Sequence, residues 1–382
     1  MTGEKRKEKG TCEYIKHDGE PCGRNLYDAE HCIFHSKDIE GKRAEFNEKF
    51  WEEFERQKEQ EKKYDFTGFV FPGEISFKGK IFEKDVYFWK SKFSGKAIFE
   101  EAQFSGGAYF EEANLKRANL KKAILKRADL PGTNLEGADL QGANLQEAKL
   151  WGANLQKANL KEANLQKAIL QKANLQKANL QEANLQEAKL WGVDLRKANL
   201  QEAKLLEADL ENSCIKGAYL QGANFENTKV VGIKYNRHAR YRGIKLSNCS
   251  GSPRFIRFSK DQEYIEDFRS SILRFPLYML WLILADCGRS FFLWASWAYI
   301  TTKFFAVKFF SMGPEAFKIT NLDFSLDTML YYSVVTFTTL GFGDVTPRTV
   351  EASEWVMAEV IIGYVMLGGL ISILANKLAR RS

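Results

Sequence analysis

Charge is what the end of this chain lacks. Lysine, arginine, aspartate and glutamate make up 27% of its 382 residues, yet they thin out across the last quarter. That contrast argues against one uniform globule and for a soluble front end joined to a membrane-embedded back end. A secretory leader is also missing, since "MTGEKRKEKG" is charged and has no apolar core. The front end is therefore expected in a reducing cytosol, where clustered thiols serve as metal ligands rather than disulfides. Histidine is scarce, with 4 in all. His238 is isolated, and no carboxylate pair sits in a recognisable pocket pattern, so the chain is not expected to be an enzyme. The formal charge of +7 is modest, and the length allows two or three domains.

Of the cysteines, Cys12, Cys22 and Cys32 crowd the start, while Cys214, Cys249 and Cys287 are scattered. In "CEYIKHDGEPCGRNLYDAEHCIFH" the first three are joined by His35. Three thiolates and one imidazole make a closed tetrahedral set suited to structural zinc. The close pair Cys32 and His35 would form one side, and the Asp-Gly and Pro turn before Cys22 would bring the chain back for the other. His17 and His31 are spare ligands. The plainer account is unligated cytosolic thiols. The segment is similar to small Cys3His modules at the ends of larger proteins. Next, Phe46, Phe50 and Phe54 recur at i+4, on one face of a helix.

From Phe110 a single rule holds for over a hundred residues. Large apolar residues fall at Leu115, Leu120, Leu125 and onward to Phe225, Val230 and Tyr235, with a small residue such as Ala113 or Ala118 two positions earlier. A period of five fits neither an amphipathic helix nor a half-buried strand. It fits a coil that turns a corner every five residues. "KANLQEANL" resembles the pentapeptide-repeat family, whose consensus is A(D/N)LXX. That resemblance implies a right-handed, four-sided β-solenoid with four repeats per coil. Upstream, Phe77, Phe82, Phe88, Phe93, Phe99, Phe104 and Phe110 step by five and six, which reads as a looser form of the same solenoid. The Phe46 helix would cap its open end.

Positions twenty apart should stack at about 4.8 Å. Lys157, Lys177 and Lys197 then form a column, Glu162, Glu182 and Glu202 a column on the adjacent side, and Gln146, Gln166 and Gln186 a possible amide ladder. Trp151 and Trp191 share a side. The like-charged columns are neutralised either by water and lysine–glutamate pairing round the corner or by opposite columns on neighbouring subunits. DNA mimicry within the family needs a strongly acidic surface, and lysines here are at least as frequent as acids. The basic stretch Arg237, Arg240, Arg242, Lys245, Arg254 and Arg257 is expected to meet a membrane surface rather than nucleic acid.

"FPLYMLWLILADCG", broken by Asp286 and followed by Arg289, reads as an interfacial helix. Ser290–Phe310 and Trp355–Ala375 are long enough to span a bilayer. Lys308 can snorkel to the far surface, while Lys303 lies deeper. Basic residues precede the first span and follow the second at Lys377, Arg380 and Arg381, which places both termini in the cytoplasm.

Between the spans lies "YYSVVTFTTLGFGD". Non-helical backbone at membrane depth is tolerated where it lines a water-filled path or is buried in protein. Gly341 and Gly343 permit dihedrals that turn successive carbonyls inward, and Thr339 adds a hydroxyl rung. The segment resembles the pore loop of two-span potassium channels, the fold whose TVGYG filter serves as the standard example of carbonyl coordination. The resemblance implies Tyr331–Thr338 as pore helix and Thr339, Leu340, Gly341, Phe342 and Gly343 as a filter that takes potassium ions. Leu340 replaces the usual valine and Phe342 the usual tyrosine. Thr338, Asp344, Tyr331, Tyr332 and Val335 would support the filter. Val335 stands where some relatives carry a glutamate partner for the aspartate, so Asp344 needs another donor. Gly363 falls where such channels bend their inner helix, although glycines there also let helices pack closely. Glu359, an intramembrane acid, either faces the pore or hydrogen-bonds behind the filter.

The expected architecture is a multidomain membrane protein. It comprises a zinc module (1–36), a capping helix (37–64), the solenoid (65–236), a basic linker with interfacial helix (237–289), and a two-helix all-α pore domain with a re-entrant loop (290–382). The expected function is a homotetrameric potassium channel in the cell membrane. No arginine-every-third-residue voltage sensor is present, so gating should come from the cytoplasmic side through an unidentified regulator. A non-selective cation channel and a membrane-tethered scaffold are the alternatives.

Overall fold

Each Ala-Asn-Leu-X-X unit builds one side of a coil. In a computed structural model describing residues 10–16, 18–286 and 290–379, the alanine and leucine of every repeat point inward. Ala158 is 1% exposed and Leu160 fully buried. The next two residues make a turn closed by the following amide: the Ala158 N–H donates to the Leu155 carbonyl at 3.0 Å. The third turn residue has positive φ, as at Lys157 (60°), Glu182 (58°) and Gly142 (65°). This is the type II pattern, and glycine fills the position without strain.

The asparagine does two jobs. The Asn154 side-chain oxygen accepts from the Gln156 N–H at 3.2 Å, and its amide donates to Asn134 on the preceding rung at 3.3 Å. The side-chain ladder expected of the glutamines is thus carried by asparagines. It recurs along Asn159, Asn179 and Asn199. The glutamines sit in the turns, where their backbone N–H groups close the asparagine loops.

Parallel bridges join residues twenty apart through the leucine region, for example Asn134↔Asn154 and Asn159↔Asn179. In the phenylalanine region the interval is twenty-two, as in Tyr64↔Val86 and Val70↔Lys92. Larger rings need a wider coil, and they stack rung on rung: Phe77 on Phe99 at 4.8 Å and Phe82 on Phe104 at 4.8 Å. In the leucine region the polar small residues Thr133, Ser213 and Thr228 bond backbone carbonyls, as in Thr133 to the Phe110 carbonyl at 2.7 Å, whereas the buried Ser91 hydroxyl of the phenylalanine region has no partner.

Charge pairing runs mainly along the columns rather than round the corner. Arg127 meets Glu147 at 2.7 Å and Lys167 meets Glu187 at 3.4 Å, while Glu162 pairs with its neighbour Lys161 at 3.4 Å.

The ladder continues past residue 236, the boundary read from the sequence. Tyr219↔Arg240, Asn224↔Lys245 and Lys229↔Ser250 form a further coil out of the expected basic linker. A step of six between Tyr235 and the buried Tyr241 shifts the pattern by one residue.

Both ends of the solenoid are closed. Helix α1 (Ile39–Gln60) buries Phe46, Phe50 and Phe54 on the first coil, with Phe50 against Phe71 at 5.2 Å. Helix α2 (Pro253–Ser270) covers the last coil with Phe255 and Phe258. Its Glu266 carboxylate accepts from the Tyr241 and Arg242 N–H groups at 3.0 Å, and Glu263 from Gly243 at 2.9 Å. These are edge donors that would otherwise lack partners.

The chain divides into two compact units, Met1–Glu266 and Asp267–Ser382. In the second, α3 (Phe275–Ala285) ends at Asp286 in a left-handed conformation, φ 46°. Helix α4 (Phe291–Ser311), α5 (Leu326–Phe337) and α6 (Val350–Ala379) follow. Among the described residues one segment, Val350–Ala375, is long and apolar enough to cross a membrane by length and composition, with mean hydropathy 2.1. Helix α4 has the length, but its lysines and hydroxyls dilute its apolar character. His17, Cys287, Arg289, Arg380 and Arg381 lie outside the described residues.

Candidate functional site

Helix α5 starts at Ser325, whose hydroxyl accepts from the Thr328 N–H at 3.1 Å, with Asp327 in its first turn. Both suit a helix N-terminus. The helix ends at Thr338, whose hydroxyl donates to the Val334 carbonyl at 2.7 Å. Its negative dipole end therefore falls at the start of the glycine segment, where a cation is favoured.

There the backbone alternates. Thr339 has φ 59°, Gly341 55° and Gly343 78°, with Leu340 and Phe342 between them outside the positive region. Positive φ at alternate residues frees consecutive carbonyls from pointing to opposite sides, as they do along a strand, and glycine makes it inexpensive at two of the three positions. Leu340 and Phe342 are 63% and 65% exposed, so their side chains leave the subunit. A recess of about 360 Å³ lies beside this segment, lined by Tyr332, Val335, Thr336, Val356 and Val360.

The segment leaves by a short strand. Val345–Pro347 pairs antiparallel with Phe317–Ile319, and the Thr320 N–H donates to the Asp344 carbonyl at 2.8 Å. The Asp344 side chain lies near the Tyr331 hydroxyl, and the apolar Val335 offers it no donor. Val335 and Tyr332 are buried.

Behind α5, Ser333 is fully buried and contacts both the Thr302 carbonyl, at 2.8 Å, and the Glu359 carboxylate. Glu359 is itself fully buried. Its carboxyl has a hydrogen-bonding partner on α5. Gly363 packs on the end of α5: a Cβ there would lie 2.3 Å from the Phe337 carbonyl oxygen. Lys308 meets Glu351 at 3.5 Å and the Trp355 ring at 4.8 Å, and Lys303 lies over Tyr299 at 5.8 Å.

Sequence reasoning missed Ser333, the Phe337 carbonyl and the strand pair. Ser333 alone left a signal, a hydroxyl in the middle of an apolar helix. The four candidate metal ligands also come together: one donor atom each from Cys12, Cys22, Cys32 and His35 lie within 4.8 Å of one another, all buried.

Comparisons with known proteins divide the chain the same way. Residues 106–217 match the model for pentapeptide repeats, in 8 copies, and residues 277–380 match the model for an ion channel. The chain thus joins pentapeptide repeats to an ion-channel domain. None of the curated proteins matches it. Among solved structures it is similar to HetL, a pentapeptide repeat protein involved in heterocyst differentiation regulation in the cyanobacterium Nostoc. The identity is 26%, over 52% of this chain and 96% of that one, with a TM-score of 0.38. It is also similar to QnrB1, a plasmid-mediated fluoroquinolone resistance protein, at 16% identity over 50% and 96%, TM-score 0.38. A third is Rfr23 of the cyanobacterium Cyanothece, at 24% over 50% and 98%, TM-score 0.18.

Proposed function

We propose that four copies of this chain form a potassium channel whose filter is Thr339–Gly343. The observation that carries this reading is the positive φ at every second residue, Thr339, Gly341 and Gly343, set at the C-terminal end of a short helix. One strand of carbonyls cannot replace a hydration shell, whereas four around an axis can. The exposed Leu340 and Phe342 and the exposed apolar surface of α6 (Met357, Ile361, Tyr364, Val365) are accounted for by neighbouring subunits and lipid.

In this reading α4 and α6 both cross the cell membrane and both termini lie in the cytoplasm. Helix α3 lies at the interface, where its exposed Leu277, Leu280 and Ile283 meet lipid. The solenoid is a right-handed cytoplasmic module, and a regulator acting on it gates the pore. The chain enters the channel unit through α2, the helix that closes the last coil. The ion-channel match over residues 277–380 supports conduction of ions.

The test is flux through purified protein in vesicles, with potassium and sodium compared in parallel. Potassium flux well above sodium flux supports the proposal. Equal fluxes indicate a non-selective channel, and tight vesicles a scaffold with a silent pore.

A further inference from the structure

We propose that Cys12, Cys22, Cys32 and His35 bind one zinc ion, and that this ion pins the N-terminal module onto the mouth of the solenoid. The first argument is metric. A tetrahedral zinc with bonds of about 2.3 Å to sulfur and 2.0 Å to nitrogen has edges of about 3.5–3.8 Å between its ligand atoms. Here the Cys22 and Cys32 sulfurs are 3.8 Å apart, and the His35 Nδ1 lies 3.5 Å from Cys12 Sγ and 3.3 Å from Cys32 Sγ. The 3.8 Å sulfur separation is far from a disulfide bond. A disulfide between Cys22 and Cys32 would also leave Cys12 and the imidazole side by side without a purpose.

The second argument is the histidine's orientation. Its Nε2 lies 2.9 Å from the Thr67 carbonyl. A donor at Nε2 fixes the tautomer that leaves Nδ1 with a lone pair for the metal, the arrangement usual for zinc-bound histidine. The ring is held from both sides, by Tyr14 stacked at 4.1 Å and by Phe69 edge-on at 5.4 Å.

The third argument is charge. Three thiolates and one divalent ion leave a net charge of −1, which is costly when buried. Arg24 answers it: Nη1 donates to Cys22 Sγ at 3.1 Å, and Nη2 reaches Glu53 on α1 at 2.6 Å. A tetrahedral site of three sulfurs and one nitrogen selects zinc over hard cations such as magnesium or calcium.

The site is tied to the solenoid by residues beside its ligands. The Val70 N–H donates to the Phe34 carbonyl at 2.8 Å, continuing the first coil's edge into the module. Phe34 stacks on Phe69 at 4.6 Å. Lys42 of α1 donates to the Ile33 and Ser36 carbonyls at 3.0 and 2.6 Å. The metal organises a loop with little secondary structure of its own, and that loop plugs the end of the solenoid together with α1.

The test is elemental analysis of the full chain purified without chelator, followed by cobalt exchange. The expected result is one zinc per chain, with visible absorption of tetrahedral cobalt and a sulfur-to-metal charge-transfer band after exchange. Cys12→Ser and Cys32→Ser should lose the metal, and Cys249→Ser should keep it. Absence of metal from the wild-type chain, or a Cys22–Cys32 disulfide found by mass spectrometry of protein prepared under reducing conditions, overturns the proposal. Neither result bears on conduction through the pore.

Discussion

The hydroxyl of Ser333 on α5 sits between the Thr302 carbonyl of α4 and the Glu359 carboxylate of α6. One serine joins α4, α5 and α6. It has a single hydrogen for two acceptors, so the second contact needs a donor on the residue at position 359. Glu359→Gln supplies one and should keep conductance within about two-fold of wild type. Ser333→Ala leaves the buried Glu359 side chain unpaired, at about 1–3 kcal/mol, and should lower the thermal stability of the protein, whereas Glu359→Ala leaves Ser333 its bond to the Thr302 carbonyl and should cost less. Single-channel recording checks this. If Glu359→Gln cuts conductance severely while stability is unchanged, the carboxylate faces the ions instead.

Gly363 presses on the carbonyl of Phe337, the last residue of α5 before the glycine segment. Gly363→Ala should displace the end of α5 and reduce conductance several-fold. Gly368 has nothing within 4 Å of its added Cβ in the subunit, so Gly368→Ala should be close to neutral. A hinge at Gly363 predicts a different outcome, altered open probability with conductance intact. Recordings of both variants separate packing from bending.

Glu266 takes two backbone N–H groups of the last coil. Glu266→Ala should destabilise the C-terminal end of the solenoid by about 1–3 kcal/mol. Amide exchange should quicken at Tyr241 and Arg242 and stay slow near Leu160. Uniform exchange rates along the solenoid in the variant would contradict the capping role.

Glu53 provides a pH signature. Burial pushes its carboxyl up, but hydrogen bonds from Arg56 and Gln57 and the Arg24 charge outweigh burial and hold it at about 2, against an ordinary value of 4.5. A lowered folded-state value adds stability above pH 4.5 and loses it as pH falls toward 2. Discounted for partial exposure, the contribution is about 2 kcal/mol. Glu53→Gln should therefore melt below wild type at neutral pH, and the gap should narrow as the pH is lowered through about 4. A gap independent of pH would contradict this assignment.

The solenoid was legible because its core demands a large and a small apolar residue every five positions. Its last coil was harder to see. One extra residue before Tyr241 breaks the count, and arginines at outward positions resemble a linker. The asparagine ladder was obscured because asparagine occurs in the consensus for two reasons, turn and ladder, and the sequence does not separate them. The short helix and the glycine segment that follows it were readable from Thr339, Gly341, Gly343 and the apolar flanks. The supports were not: Ser333 reaches Glu359 across 26 residues, and Phe337 meets Gly363 through a backbone atom that leaves no trace in residue type. Cys12, Cys22, Cys32 and His35 were readable as a donor set, whereas Thr67, which bonds the His35 ring, contributes only a carbonyl.

The central claim is that carbonyls at Thr339–Gly343 select potassium. The most direct measurement is the reversal potential of single channels in a planar bilayer, with potassium on one side and sodium on the other. The account predicts a large displacement from zero, toward the potassium equilibrium potential, which shrinks in Gly343→Ala. A reversal potential at zero with robust current in the wild-type channel would contradict it.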